Sequence, residues 1–410
     1  MQEEFKQAQI NIGTLGHVDH GKTTLTRAIT GVWTDKHSES VKRSMTIKLG
    51  YADSLIKKCE ECSGAEAYTI ADSCEQCKSK AKPKPVRRFS ILDAPGHETL
   101  MATAIAGSSI IDAIIFVIAA TEPCPMPQTK EHLMLINILG IKNVLVVQTK
   151  IDVVGKAKSV EHYNQIKAFL KGSVAEHAPI IPVMANKNIN VDEVLEYIAN
   201  MELPKRDLTS DPLMYIARSF DSSRPGTPIK DLVGGVIGGS IVRGELKVGD
   251  EIEIRPGISI MNEKGKKEIY VPIITKIESL STSTGKLEHA FAGGLIGLAT
   301  NIDPSFAKAD GLTGNVVGKV GKLPPTLDNI TLEYHIIARP DMGKAAFTVN
   351  EPIILGVGTA TTVGYVTLAK KNKITVQLKR PICADKTSKI SILRNFQQRW
   401  RLSGYGVLIS

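Results

Sequence analysis

The feature that most constrains this chain is a loop at residues 16–23, Gly-His-Val-Asp-His-Gly-Lys-Thr, which matches the pattern G-x-x-x-x-G-K-[ST] in full. An apolar run at 10–15 precedes the loop, and a helix-compatible stretch at 22–29 follows it. In this context the main-chain amides of the loop and the positive end of the helix converge on a polyphosphate. The motif therefore predicts a nucleotide site in an α/β domain.

Four residues of the loop have distinct parts in that chemistry. Gly16 and Gly21 have no Cβ, so the main chain can approach the phosphates closely. Lys22 can reach the β- and γ-phosphates, and the hydroxyl of Thr23 can ligate Mg²⁺.

The composition is that of an ordinary globular protein, with 42% hydrophobic and 23% charged residues in 410, a length typical of about two to four domains. No apolar run reaches the roughly 18–20 residues of a membrane span. The first residues, Met-Gln-Glu-Glu-Phe-Lys, lack the apolar core of a secretion signal. We therefore expect a cytoplasmic protein, in which six cysteines indicate metal binding or isolated thiols rather than disulfides.

The net charge of +9 is concentrated near the C-terminal end. Residues 326–410 contain twelve Lys and Arg against five Asp and Glu, an excess of +7. Such a basic region suggests an anionic macromolecular partner, with RNA as the first candidate and a solvated basic surface as the alternative. Arg394, Arg399 and Arg401 are candidates for phosphate contacts, and solvated surface arginines are equally compatible with the pattern.

Residues 1–205 alternate short apolar runs with helical patterns. The predicted strands are 9–15, 89–93, 113–120, 143–149 and 179–184. The predicted helices are 22–30, 97–107, 127–139, 158–174 and 191–200. This alternation predicts a mostly parallel sheet covered by helices on both faces, with its ligand at the carboxyl ends of the strands.

After residue 205 the pattern changes to short alternating apolar runs interrupted by glycines, which is typical of all-β barrels. The stiff segment Leu323-Pro-Pro separates two such regions. We therefore predict a nucleotide-binding domain at 1–205 with a cysteine-rich insert at 57–80, a β-barrel at 206–325 and a second β-barrel at 326–410.

A second motif, Asp93-Ala-Pro-Gly96, ends the predicted strand at 89–93. A carboxylate at a strand end can hold a nucleotide-bound Mg²⁺ through water. Gly96 can turn its amide toward a γ-phosphate, which makes a nucleotide-dependent switch. His97 then lies where a group that orients the attacking water belongs.

The third motif, Thr149-Lys-Ile-Asp152, ends another buried strand. The carboxylate of Asp152 can accept hydrogen bonds from N1 and N2 of guanine, while adenine would leave it unpaired, and Lys150 can pack across the base. Because the unpaired state is costly, the motif predicts guanine over adenine.

Four cysteines form two knuckles, Cys59-x-x-Cys62 and Cys74-x-x-Cys77, separated by eleven residues. Two such turns supply the four thiolates of a tetrahedral Zn²⁺ site with no open position, so the predicted role is structural. The remaining Cys124 and Cys383 stand alone and are expected to be buried apolar residues.

On these residues the chain resembles the translational GTPases, through GHVDHGKTTL at 16–25, DAPGH at 93–97 and TKID at 149–152. More narrowly, it resembles the gamma subunits of archaeal and eukaryotic translation initiation factor 2. The stretches that carry this likeness are 31–39, 46–52, the cysteine insert, 235–240 with 249–257, and 399–406.

The resemblance implies a GTP-binding domain followed by two β-barrels, with GTP or GDP, Mg²⁺ and Zn²⁺ as cofactors. It implies a switch that binds initiator methionyl-tRNA in its GTP form, delivers it to the small ribosomal subunit and hydrolyses GTP slowly until a partner or the ribosome completes the site. It also implies a heterotrimer with alpha and beta subunits.

The resemblance assigns metal ligands as well. Thr46 joins Thr23 on Mg²⁺, and a second magnesium is held by Asp19 and the main-chain carbonyl of Ser44. His97 is associated with hydrolysis.

Tyr51 matches a tyrosine linked to tRNA binding. The implied nucleotide contacts are Asp19, His20, Gly21, Lys22, Thr23, Thr24, Asp93, Gly96, Thr149, Lys150, Asp152, Met184, Ala185 and Asn186.

Three positions depart from the family pattern. Thr149 replaces an Asn that supports the base, which predicts weaker nucleotide binding with guanine selection retained. Ser44 replaces a Gly, so its carbonyl can ligate only if φ permits. Met184 replaces a Ser, and the amide of Ala185 stays available to guanine O6.

Three other functions are compatible with parts of the sequence. A specialised elongation factor for selenocysteine would carry a further C-terminal domain, and a metabolic GTPase subunit that activates an enzyme such as a sulfurylase would not need the zinc knuckle and the basic end. A zinc-dependent nucleic-acid module with a degenerate nucleotide site conflicts with the intact Lys22, Thr23, Asp93 and Asp152.

Overall fold

The computed structural model describes residues 5–34, 50–74, 76–77, 82–94, 109–222, 234–261, 268–337, 346–386 and 388–409. The chain divides into two compact units. The first comprises Met1–Ala104 and Ile111–Lys205, and the second comprises Ile105–Ile110 and Arg206–Ser410.

The first unit is built on a seven-stranded sheet. Its strands are β1 (Ile10–Leu15), β2 (Gly50–Lys58), β3 (Tyr68–Thr69), β4 (Lys84–Asp93), β5 (Ala113–Ala119), β6 (Asn143–Thr149) and β7 (Ile180–Pro182). The spatial order is β3-β2-β4-β1-β5-β6-β7. Five neighbouring strands run parallel to one another: β4, β1, β5, β6 and β7. At one edge β2 and then β3 extend the sheet in antiparallel pairing.

The helices of this unit lie between its strands in sequence or follow the last of them. They span Lys22–Thr30, Pro127–Leu139, Ile151–Val154, Lys156–Leu170 and Val191–Asn200, with short 3₁₀ turns at Ala65–Ala67 and Ala185–Lys187. All seven residues of β5 are buried, because both faces of the central strands are covered. One face packs against the helices Lys22–Thr30 and Val191–Asn200.

The predicted α/β class and the five predicted parallel strands are confirmed. The predicted helix 158–174 was wrong at its ends. The helix in the structure spans Lys156–Leu170 and stops before Gly172, whose φ is 75°. Helix 97–107 lies outside the described residues. The antiparallel strands β2 and β3 were not predicted.

The second unit begins with a barrel of antiparallel strands. These are β8 (Leu213–Phe220), β9 (Val236–Arg243), β10 (Glu245–Lys247), β11 (Glu251–Met261), β12 (Glu268–Thr282), β13 (Gly285–Leu287), β14 (His289–Phe291), β15 (Ile296–Thr300) and β16 (Val316–Lys319). The order β11-β16-β8-β9-β15-β12 closes through pairing of β12 with β11. A short helix, Pro304–Ala307, and a 3₁₀ turn, Lys308–Asp310, precede β16.

The last six strands form a second closed barrel in the order β17-β20-β19-β18-β21-β22. They are β17 (Thr326–Ile336), β18 (Pro352–Val357), β19 (Ala360–Ala369), β20 (Lys373–Cys383), β21 (Lys389–Phe396) and β22 (Arg399–Leu408). Closure leaves neither barrel with an open edge for a foreign strand. The two predicted β-barrels are therefore confirmed as part of the fold class.

The barrels contact each other within this unit. Leu213, Val316, Leu323 and Cys383 form a shared apolar cluster, and the hydroxyl of Thr359 donates to the carbonyl of Ile216 at 2.7 Å. Among the residues that the structure describes, no helix is long and apolar enough to cross a membrane.

Candidate nucleotide and metal sites

The loop after β1 has a main chain that few residue types can adopt. Gly16 has φ 150° and Gly21 has φ 87°. A Cβ on Gly16 would lie 2.2 Å from the carbonyl oxygen of Val117 in β5. Asp19 has φ 60°, in the left-handed region that Asp tolerates better than most residues. The loop thus passes closely over β5 before the helix begins.

Lys22 opens that helix and points back over the loop. Its Nζ donates to the carbonyls of Gly16 at 3.0 Å and His17 at 2.8 Å, and the residue is only 6% exposed. Burial lowers the pKa of Lys22 to about 8, and the charges of Asp93 and Asp19 oppose that shift. The ammonium group is thereby held at the centre of the loop.

Asp93, at the carboxyl end of β4, is fully buried and accepts three hydroxyl hydrogen bonds. Thr14 donates to Oδ1 at 2.8 Å, and both Thr23 and Thr34 donate to Oδ2 at 2.7 Å. A hydroxyl beside a carboxylate offers the oxygen ligands that Mg²⁺ prefers. The residues present therefore fit a magnesium ion next to the loop. The sequence did not indicate Thr14 or Thr34.

Beside the loop, a cavity of about 400 Å³ brings the second half of the predicted site together. Its lining comprises the predicted residues Gly21, Thr24, Thr149, Lys150, Asp152, Met184, Ala185 and Asn186, together with Thr121 and Val153. The last two were not predicted. Lys150 has φ 57° and caps the helix Ile151–Val154, whose first turn presents Asp152.

Thr149 joins the cavity to the phosphate loop. Its hydroxyl donates to the carbonyl oxygen of His20 at 2.6 Å, and both residues are buried. The departure from Asn therefore keeps a side chain that anchors the loop, although Thr has no amide to offer a base.

The ring of His20 lies beneath the loop rather than in the cavity. Nδ1 is 3.1 Å from the carbonyl of Val117, and Nε2 is 3.2 Å from the carboxylate of Glu122. Burial lowers the pKa of His20 to about 4, against the raising effect of Glu122. The neighbouring His17 bonds Gln128 through Nδ1.

The four knuckle cysteines converge, with all Sγ atoms within 4.8 Å of one another. The Sγ atoms of Cys59 and Cys77 are 3.5 Å apart, and those of Cys62 and Cys74 are 3.6 Å apart. Tetrahedral Zn–S bonds of about 2.3 Å require sulfur–sulfur distances of about 3.8 Å. The cluster therefore fits zinc.

The two isolated cysteines, Cys124 and Cys383, differ in burial. Cys383 is buried, as predicted, and its pKa is raised to about 11 by burial. Cys124 is half-buried, its amide donates to Gln165 at 3.1 Å, and burial raises the pKa of its thiol to about 12.

Four predicted site residues, Ser44, Thr46, Gly96 and His97, lie outside the described residues. Tyr51 lies on β2, next to the register pair of Gly50 with Asp93.

One surface prediction is wrong. Arg394 is only 8% exposed and donates to both carboxylate oxygens of Glu351, at 2.5 and 2.9 Å, so it is not a free phosphate ligand.

Comparison with known proteins identifies the family. Residues 7–204 match the family described as Elongation factor Tu GTP binding domain, residues 234–311 match Elongation factor Tu domain 2, and residues 328–408 match Initiation factor eIF2 gamma, C terminal. The chain is 52% identical over 409 residues to translation initiation factor 2 subunit gamma of Methanococcus vannielii, covering 98% of this chain and 99% of that protein. The chain belongs to this gamma-subunit family.

Other relatives agree with that assignment. The protein of the same name from Methanocaldococcus jannaschii is 49% identical, with 99% of this chain and 98% of that protein covered. The one from Archaeoglobus fulgidus is 48% identical, with 99% and 95% covered. As a member of this family, the chain is a GTP-binding subunit of a translation initiation factor complex and hydrolyses GTP. The elongation-factor, metabolic and nucleic-acid-module alternatives are not favoured.

Solved structures support the same fold. Translation elongation factor SelB from Methanococcus maripaludis superposes with a TM-score of 0.72 at 23% identity, covering 99% of this chain and 79% of that one. A bacterial selenocysteine-specific elongation factor gives 0.73 at 24%, covering 97% and 58%. At these identities the likeness concerns the fold alone.

Proposed function

We propose that the chain binds initiator methionyl-tRNA in its GTP form and delivers it to the small ribosomal subunit in the cytoplasm, as one member of a heterotrimer with alpha and beta subunits. Hydrolysis of GTP to GDP then ends the tRNA-binding state. Membership of the gamma-subunit family supports this role. The observation that carries the nucleotide part is the cavity formed by Gly21, Thr149 and Asp152 beside Lys22.

We assign this function to three domains. The GTP-binding domain spans 1–205, with its cysteine insert at 57–80, and the barrels span 206–325 and 326–410. Cys59, Cys62, Cys74 and Cys77 would hold a zinc ion, which would stabilise an insert too small to build a core. In the described part of the insert, apolar burial is limited to a few residues such as Ala67 and Tyr68.

Guanine is selected by the cavity. Asp152 accepts from the base edge, Lys150 covers the ring, and the amide of Ala185 meets O6, with Thr24, Met184 and Asn186 completing the walls. A carboxylate left unpaired by adenine makes the discrimination strong.

The phosphates are bound by the loop. Lys22 exchanges the carbonyls of residues 16 and 17 for β- and γ-phosphate oxygens, and the loop amides at 19–21 donate to the remaining oxygens. When bound, Mg²⁺ neutralises charge on the phosphates. Thr23 and Asp93 would hold it with Thr46, and Asp19 with the carbonyl of Ser44 would hold a second ion.

Three residues beyond this pocket complete the proposal. Gly96 contacts the γ-phosphate, His97 orients the attacking water, and Tyr51 contributes to tRNA binding. The position of Tyr51 on β2, beside the strand that ends in Asp93, supports a link between the nucleotide state and tRNA.

The direct test is filter binding of methionylated initiator and elongator tRNAs to the chain assembled with its alpha subunit, with a GTP analogue or GDP. We expect retention of the initiator only with the analogue. Equal retention in both nucleotide states, or of both tRNAs, would contradict the proposal. The His97→Ala variant serves as a second check, since it should bind GTP normally and lose stimulated hydrolysis.

A further inference from the structure

Glu122 belongs to none of the motifs, yet its carboxylate contacts the phosphate loop. It lies three residues past the end of β5, and its Oε2 is 3.2 Å from Nε2 of His20. The His20 side chain is 1% exposed, and that of Glu122 is 35% exposed. The carboxylate thus closes the solvent side of an otherwise buried ring.

His20 contacts two strands of the sheet and the segment that follows one of them. Val117 of β5 contacts Nδ1 at 3.1 Å, Glu122 contacts Nε2 at 3.2 Å, and Thr149 of β6 donates to the carbonyl oxygen at 2.6 Å. Ring and main chain are therefore both fixed, immediately before Gly21 and Lys22. In the part of the chain that the structure describes, the carboxylate of Glu122 contacts this ring, and the ring of the flanking His17 lies edge-on to it with the centroids 5.1 Å apart.

Such anchoring matters because the loop must present its amides in one arrangement. Asp19 and Gly21 both have positive φ. Without supporting contacts, the main chain at these residues would also adopt other conformations. Ordering a loop before its ligand arrives removes an entropic cost from binding.

We propose that Glu122 is a positioning residue for nucleotide binding, which acts through the imidazole of His20 to fix the phosphate loop. This proposal rests on the proposed function of the same site. Glu122 is not among the residues that line the base cavity, although its neighbour Thr121 is, and its carboxylate reaches the phosphate loop through the ring of His20.

The test measures the dissociation constant and dissociation rate of fluorescent GDP with the full chain. The variants are Glu122→Ala, Glu122→Gln, Glu122→Asp, His20→Ala and the double variant Glu122→Ala/His20→Ala, with Glu161→Ala as the control. Glu161 is an exposed residue of the helix Lys156–Leu170. Circular dichroism establishes that each variant is folded.

Glu122→Ala should weaken GDP binding about tenfold, mainly through faster dissociation, as expected for loss of one hydrogen bond to a charged group. Glu122→Gln keeps the length and hydrogen-bonding capacity and should restore binding to within about twofold of the wild type. The double variant should bind as His20→Ala does, because both changes remove the same contact.

Three results would overturn the proposal: wild-type binding by Glu122→Ala, equal losses in the Gln and Ala variants, or additive losses in the double variant. If Glu122→Ala does not fold, Glu122→Asp serves as the test in its place. Its shorter side chain should lose the contact with His20 and weaken GDP binding, and wild-type binding by this variant would overturn the proposal. A wild-type chain that fails to bind GDP would overturn the proposed function itself. Normal wild-type binding with an unaffected Glu122→Ala would remove only the role of Glu122.

Discussion

Replacing Thr149 by Val tests how the base cavity is connected to the phosphate loop. The side chain keeps its shape, but the hydroxyl that donates to the His20 carbonyl at 2.6 Å is lost. Thr149 is 3% exposed and His20 1% exposed, so water does not readily replace the donor. The change therefore isolates one buried hydrogen bond.

The expected magnitude follows from that burial. A buried carbonyl left without its donor costs about 1–3 kcal/mol, and we expect the free energy of unfolding to fall by that amount. Part of the loop ordering then has to come from nucleotide binding. The dissociation constant for GDP should rise about five- to tenfold, which corresponds to about 1–1.4 kcal/mol.

Chemical denaturation without nucleotide and calorimetric titration with GDP measure the two effects. Thr149→Ser is the matched control, because it keeps the hydroxyl and should retain most of the affinity. A Val variant that unfolds and binds GDP as the wild type does would refute the idea that this hydroxyl holds the loop.

Three further changes probe other parts of the structure. Gly16→Ala places a Cβ 2.2 Å from a main-chain carbonyl at φ 150°, so GDP binding in a fluorescence titration should fall by at least about tenfold, and unchanged affinity would show that the loop can shift aside. Cys62→Ser should reduce bound zinc, measured by mass spectrometry of the purified chain, from one ion to none while GDP binding persists, and a full zinc equivalent would exclude the four-cysteine site. Arg394→Met leaves the carboxylate of Glu351, whose side chain is 15% exposed, without its cation, although the amide of Thr348 still donates to it. The last barrel should be destabilised by about 3 kcal/mol, the lower end of the range for a buried ion pair. An unchanged midpoint in unfolding followed by Trp400 fluorescence, with the other tryptophan replaced by Phe, would contradict this.

Much of the GTP-binding domain follows from sequence because its parallel strands are buried on both faces. Strand β5 is a continuous apolar run, and the apolar run of β6 leads to Thr149, the first residue of the third motif. Strand β2 was not predicted because its buried positions alternate with half-buried ones and include the small or polar residues Ala52 and Ser54. A strand with small and polar residues at its buried positions has no clear hydrophobic period.

The candidate site was predictable where a motif defines spacing, and not where the fold brings in residues from elsewhere. Thr34 reaches Asp93 across 59 residues of sequence, and Glu122 reaches His20 across 102. Glu122 and its neighbour Thr121 do follow a buried strand at its carboxyl end, which was a usable signal. The sequence carried no comparable signal for the ion pair between Arg394 and Glu351.

The claim on which the functional account depends is that one pocket binds the polyphosphate through Lys22 and selects guanine through Asp152. Isothermal titration of the purified chain with GDP, GTP and ATP in the presence of magnesium tests it most directly. The account predicts saturable binding of both guanine nucleotides and no measurable heat from ATP at the same concentrations. ATP binding as tight as GTP binding would contradict it.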